Sequence, residues 1–568
     1  MAIALVAAPL LARSRETLDF SNYLWLAWVA GKGTVAAGHP VLFTNTGADG
    51  PFYPLFAFYG ATLFVIAGVL GQLFAGQILA VYIAIWVLAI AAAYLGTLSL
   101  ARQLGVRGLL AHAPALCVLT SAYYITDIYA RADWPELVAV SAVPPLLAST
   151  LHLIRAPRWR PLPVLVFAVS AVILTGSHNI TLVWTVTVAA MALIILGLLG
   201  AVPWRLPYRR IAGVVGLAVA ALCVNGWFLV TDLVHARDVG LGNYTTTQTG
   251  YNAIFDSLGV LLNPFRSTPS FLFSTGTASP GFYVDAPIWF LAWGVIAGAV
   301  VLWRWPQARR DWRFYVAPLI LVAALIALIA NPYWPHFPFP WDEIQFPYRI
   351  NSYLVFAIAA AVLVACLLVQ RASRAQARQR TIVVLKASLA VVVAISVALC
   401  VWQEWVPNLN VPLFVRPSAE LVSVHSLPGS WHALTDYADT SAPIVPVAAG
   451  RIMWIPWTRV QGDYFSGSVA APPGPAPIET NILGGDYVVR ISGVKLLGRA
   501  STGQAVVARL SGGGGSVHVV IQTAGSRAIV LGRILSIGGL AVLAAVLGCT
   551  AIRARRRRVP RPAAAGEA

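Results

Sequence analysis

The sequence predicts a polytopic α-helical membrane protein of about 12 spans, with a C-terminal extracytoplasmic β-rich domain and a final transmembrane helix. Three observations carry that expectation. The 568 residues are 58% hydrophobic and only 11% charged, and the mean hydropathy is +0.75; a soluble protein carries about 25% charged residues. Short arginine clusters punctuate long apolar runs. One late stretch, 403–533, changes texture to Pro- and Gly-rich sequence with alternating strand-like runs.

The arginine clusters set the topology. They fall at Arg102 and Arg107; Arg155, Arg158 and Arg160; Arg205, Arg209 and Arg210; Arg304, Arg309, Arg310 and Arg313; and Arg371, Arg374, Arg378 and Arg380. A basic tail follows from Arg553. Positive clusters mark cytoplasmic loops, so the chain crosses an even number of times between any two. The predicted spans are 77–100, 108–122, 134–154, 162–176, 180–202, 211–230, 286–303, 314–331, 350–370, 382–402 and 534–552. Either 1–12 or 53–70 supplies the remaining crossing. The family resemblance given below implies that 1–12 crosses and 53–70 lies along the interface. Residues 1–402 then form the transmembrane domain, within which 13–76 is the first outer loop. Residues 403–533 form the outer β-rich domain and 553–568 a cytoplasmic tail.

In this topology 23 of the 39 Lys and Arg residues are cytoplasmic, against only Asp311 and Glu567 of the 21 acids. The net charge of +18 therefore reads as orientation and contact with anionic lipid. It is not the one-faced basic patch of a nucleic-acid binder. Cys117, Cys223, Cys366, Cys400 and Cys549 all sit in apolar segments, which argues against a disulfide framework or thiolate metal site.

Residues 171–184, AVILTGSHNITLVW, hold a His and an Asn inside a run without charge from Arg160 to Arg205. The run is long enough for two spans, and the turn falls at Gly176-Ser177-His178-Asn179. Polar groups at membrane depth mark sites or pathways. The other outer loops gather comparable groups: Asp19; then Asp127, Arg131, Asp133 and Glu136; then His336, Asp342, Glu343 and Arg349. Each also has a purely structural use. Asp19 could cap a helix, Arg131 could pair with a neighbouring acid, His178 could be a satisfied core residue, and Arg349 could snorkel to headgroups.

The order of these pieces resembles a family of multipass bacterial membrane proteins. Some of its members are labelled pyruvoyl-tetrahydropterin-synthase-related and others are linked to lipoteichoic-acid glycosylation. The resemblance rests on Asp19 with its Trp-rich following helix, GPFYPLFAFYGATL (50–63), IYARADWPELVAV (128–140), LTGSHNITLVW (174–184) and IQFPYRINSY (344–353). It covers most of residues 15–370. Arg131-Ala132 stands where the family usually has Arg-Gly, and a His common after the first acid is absent here.

That family is similar to the wider GT-C class of lipid-phosphate-dependent glycosyltransferases. The resemblance implies a bacterial plasma-membrane enzyme with both termini cytoplasmic. Its substrates would be a polyprenyl-phosphate-linked sugar and a glycan or lipid acceptor. Asp19 would be the catalytic base. Arg349, Arg131 and His178 would bind the donor phosphate, and Asp127, Asp133, Glu136, Asn179, Asp342 and Glu343 would support the acceptor. No metal-binding or nucleotide-binding motif stands in the sequence, so a divalent metal among the carboxylates stays open. A flippase for a lipid-linked saccharide and a non-catalytic envelope-assembly scaffold are the alternatives.

Overall fold

The computed structural model describes residues 20–42, 60–129, 133–201, 207–235, 285–330, 347–375, 379–410 and 526–556, short strands at 44–45, 52–53 and within 452–522, and a few isolated positions. Asp19, Arg131, His336, Asp342 and Glu343 lie outside the described residues, as does most of the segment 1–12.

The described chain is mostly helical. Its helices are α1 (Phe20–Ala37), α2 (Ala61–Leu73), α3 (Ile78–Gln103), α4 (Leu109–Leu119), α5 (Ala122–Tyr129), α6 (Trp134–Arg155), α7 (Pro161–Ser177) and α8 (Asn179–Leu198). After these come α9 (Tyr208–Val224), α10 (Gly226–His235), α11 (Asp285–Arg304), α12 (Trp312–Ile329), α13 (Asn351–Arg374), α14 (Gln379–Asn410) and α15 (Arg527–Arg556). Eight of the described helices are long and apolar enough to cross a membrane, or nine if α9 and α10, bent by 77° at their junction, count as one span. α2, α4 and α7 are apolar but shorter. At ~1.5 Å per residue α2 reaches only ~20 Å, less than a hydrocarbon core.

Local chemistry explains the boundaries. Asp133 caps α6, its side chain accepting from the Glu136 N–H, and Pro135 occupies the first turn, where its missing N–H costs nothing. Pro161 opens α7 in the same way. His178, in extended conformation, is at once the last residue beyond α7 and the first before α8. The predicted 176–179 turn is thus a one-residue break. The predicted outer loop from 231 begins later, because α10 runs to His235.

The main apolar core is built around α13, which is buried along most of its length. A second cluster joins α6, α7, α9 and α15 through Leu153, Phe167, Leu217 and Leu543. Glycines permit the closest crossings. A Cβ on Gly31 of α1 would lie 2.2 Å from the Gly68 backbone of α2, and one on Gly532 of α15 would lie 2.4 Å from the Gly226 carbonyl oxygen.

The helices also give the bundle two ends. α6, α8 and α13 start at Trp134, Asn179 and Asn351, and α7 finishes at Ser177; this is one end. The opposite ends of the same helices carry Arg155, Arg160 and Arg374.

Between α14 and α15, eight strands fall among the described residues: β3 (Ile452–Met453), β4 (Trp457–Gln461), β5 (Tyr464–Ala470), β6 (Pro477–Leu483), β7 (Val488–Ser492), β8 (Lys495–Thr502), β9 (Ala505–Ser511) and β10 (Ser516–Gln522). One sheet runs β4-β5-β10-β7, all antiparallel. In the other, β6, β9 and β8 are joined by β2 (Phe52–Tyr53), which pairs Phe52 with Ile482 and carries β1 (Thr44–Asn45) at its edge.

Candidate functional site

Four residues that the sequence scatters over more than 200 positions meet at one end of the bundle. Asp133 and Glu136 come from the first turn of α6. His178 comes from the α7–α8 break. Arg349 comes from a 3-10 turn, Pro347–Ile350, that leads into α13. Their exposures are 0%, 1%, 3% and 7% respectively.

The Arg349 guanidinium lies at the centre. Its Nη2 is 3.4 Å from Asp133 Oδ2 and its Nη1 is 3.3 Å from Glu136 Oε2. Nη1 also bonds His178 Nε2. A guanidinium only donates, so Nε2 accepts and the imidazole proton sits on Nδ1. That proton points to Thr181 Oγ1, 2.7 Å away. With the proton on Nδ1, the Thr181 N–H 3.3 Å away has no lone pair there to donate to, so the Oγ1 bond is the one that holds the ring.

Each partner of Arg349 is fixed on its far side. Asp133 Oδ1 accepts from the Glu136 N–H at 3.2 Å, Glu136 Oε1 accepts from the Tyr123 hydroxyl at 2.5 Å, and His178 Nδ1 is held by Thr181. The inward atoms Oδ2, Oε2 and Nε2 therefore converge by construction. Tyr124, beside Tyr123 on α5, bonds Ser141 Oγ at 2.7 Å, and burial pushes its phenol well above the ordinary value, so it stays neutral. Tyr353 of α13 reaches α8 from the other side, donating to the Thr181 carbonyl at 2.6 Å.

The backbone below the break is equally constrained. Gly60, just before α2, sits so close that a Cβ there would be 2.0 Å from Ser177 O and 2.6 Å from His178 N. Behind it, Asn225 at the α9–α10 bend donates to Val172 O (2.8 Å) and Thr175 Oγ1 (2.6 Å) and accepts from Thr62 Oγ1 (2.5 Å). The Asn225 side chain at the bend is thus hydrogen-bonded to α2 and α7 inside the bundle.

Of the expected site residues, Asp133, Glu136, His178 and Arg349 form this one cluster. Asp127 is buried on α5, and its carbonyl accepts from the Asp133 N–H at 3.1 Å. Asn179 follows His178 but its Nδ2 donates to Asp232 Oδ2 at 2.6 Å. Sequence reasoning missed Tyr123, Thr181 and Asp232. Asp232 follows the apolar run WFLVT, so the rule that singled out His178 would have found it had the helix been extended past 230.

No protein-family model matches the chain, and no curated protein or solved structure matches it either.

Proposed function

We propose that the chain is a membrane glycosyltransferase of the GT-C type. It moves a sugar from a polyprenyl-phosphate donor to an envelope glycan or lipid acceptor on the outer face of the bacterial plasma membrane. The observation that supports this reading is the buried Asp133–Glu136–His178–Arg349 cluster at the end of the bundle opposite the arginine clusters. In the proposed topology, with about 12 spans and both termini cytoplasmic, that end is extracytoplasmic. The stretch 403–533 is then a β-sandwich-like domain standing over it.

The reaction needs a base and a phosphate anchor. The acceptor hydroxyl attacks the anomeric carbon, giving its proton to a carboxylate as the bond to the phosphate oxygen breaks. Asp19, immediately before α1, is that base on the resemblance. The departing phosphate gains negative charge, which a forked cation stabilises by charge-assisted hydrogen bonds. Arg349 fills this role with Arg131 and His178. Asp127, Asn179, Asp342 and Glu343 orient the acceptor.

Purified protein should transfer radiolabelled sugar from a polyprenyl-phosphate donor, and Asp19→Asn should abolish transfer with the fold intact. Full activity in that variant would remove Asp19 from the role.

One observation favours a second reading, a flippase of lipid-linked saccharides. Broken spans are common in transporters, and α9–α10 is broken at Asn225. Against it, the break is filled by the Thr62, Thr175 and Val172 bonds. Movement of a fluorescent lipid-linked saccharide across proteoliposomes, independent of acceptor, would favour the flippase.

A further inference from the structure

We propose that Asp133 Oδ2, Glu136 Oε2 and His178 Nε2 form a divalent-cation site that Arg349 occupies when no ion is bound. One ligand atom from each of the three lies within 4.8 Å of the other two, and all three residues are buried. They are the one such group among the described residues. Ligands at ~2.1 Å from a common ion sit up to ~4.2 Å apart, so small side-chain rotations close the set.

Proximity alone would not argue for an ion. The independent observation is how the ligands are held. In a metal site each ligand has one atom on the ion and another hydrogen-bonded to the scaffold, which fixes its orientation. Here every ligand follows that division. Oδ1 of Asp133 holds the Glu136 N–H, Oε1 of Glu136 holds the Tyr123 hydroxyl, and Nδ1 of His178 holds Thr181 Oγ1. Oδ2, Oε2 and Nε2 all lie against the Arg349 guanidinium. Accepting from Arg349 requires the tautomer with its proton on Nδ1, and in that tautomer the Nε2 lone pair faces inward.

Two carboxylates and a neutral imidazole match the charge of a divalent ion. Mixed oxygen and imidazole donors suit manganese or zinc better than calcium. The guanidinium and the ion cannot share the position, so binding the ion turns Arg349 away from the carboxylates. In the transferase, and on that reading alone, the freed guanidinium would meet the donor phosphate beside the ion.

The test is manganese binding to full-length, EDTA-stripped protein in lipid nanodiscs, followed by electron paramagnetic resonance without any sugar donor. Expected are one saturable Mn²⁺ per chain and a nitrogen coupling from the His178 imidazole in the pulsed spectrum. His178→Ala should abolish the coupling, and Asp133→Asn should weaken binding by at least about tenfold. Arg349→Ala removes the competing cation and should bind Mn²⁺ as tightly as wild type or more so. Absence of stoichiometric Mn²⁺ in the wild-type protein overturns the proposal, as does bound Mn²⁺ with no nitrogen coupling, and neither result depends on a variant folding. Weaker binding in a folded Arg349→Ala protein overturns the exchange. Sugar transfer that persists in EDTA without bound Mn²⁺ removes the metal site and leaves the transferase. Stoichiometric, nitrogen-coupled Mn²⁺ in a protein that transfers no sugar does the reverse.

Discussion

Arginine does two different jobs at the two ends of this bundle. At the arginine-rich end it closes helices. Arg155 donates to the carbonyl of Gln103, the last residue of α3, and Arg210 donates to Ile154 O and Arg155 O at the end of α6. Arg313 reaches Gly200 O after α8, and Arg374 reaches Gly105 O after α3. These carbonyls have no partner within their own helix and carry the negative end of its dipole. The groups involved are largely exposed, and the ion pair Arg371–Asp311 has its arginine 52% exposed. At the other end Arg349 is buried and holds two carboxylates and a histidine, side chains from the first turn of α6 and from the α7–α8 break. The same side chain is thus expected to be replaceable where water is present and costly to remove where it is not.

The largest expected effect tests that contrast directly. Arg349→Ala leaves two buried carboxylates without their cation and should cost about 3–5 kcal/mol, read as a fall in thermal or denaturant midpoint in detergent. Added Mn²⁺ should recover part of the loss. Glu136→Gln, Arg349→Ala and their double variant form a cycle whose coupling should exceed about 1 kcal/mol. An additive cycle would put the buried end on the same footing as the exposed one.

Next comes the backbone that sets the cluster. Gly60→Ala forces a Cβ into the Ser177–His178 peptide and should cost about 1–3 kcal/mol; transfer activity should fall more than stability does. Asn225→Ala removes three hydrogen bonds at the bend and should cost about 1–3 kcal/mol, with lost protection of the Thr175 region in hydrogen exchange. At the exposed end, Arg371→Ala should change stability by no more than about 1 kcal/mol, and less at high salt. A larger loss there would break the comparison.

Much of this arrangement could be read from the chain. Apolar runs between arginines predicted 134–154 and 162–176, close to α6 and α7, because span length and charge are local properties. His178 stood out because a polar group in an apolar run is visible without a fold, and Arg349 because it joins the other charged residues of the outer loop that leads into a span. What stayed hidden depends on approach between distant segments. Nothing in the spacing of Thr62, Thr175 and Asn225 tells that they share a network. Tyr123 looks like one more interfacial tyrosine until Glu136 is placed above it. The need for glycine at position 60 appears only once the α7–α8 break is laid against it.

The seam between α15 and the α9–α10 bend has a consequence for how the protein is made. Gly532 meets Gly226 backbone to backbone, and Ser536 Oγ accepts from the Trp227 N–H at 2.9 Å. A hydrophobic segment synthesised about 300 positions later therefore fills a slot formed at this bend. Until that segment arrives, the nascent bundle must hold an open furrow, with a backbone amide facing lipid or the insertion machinery. A chain truncated before residue 527 would keep every residue of the acid–histidine cluster but would lose the Ser536 acceptor for the Trp227 N–H and the Gly532 contact.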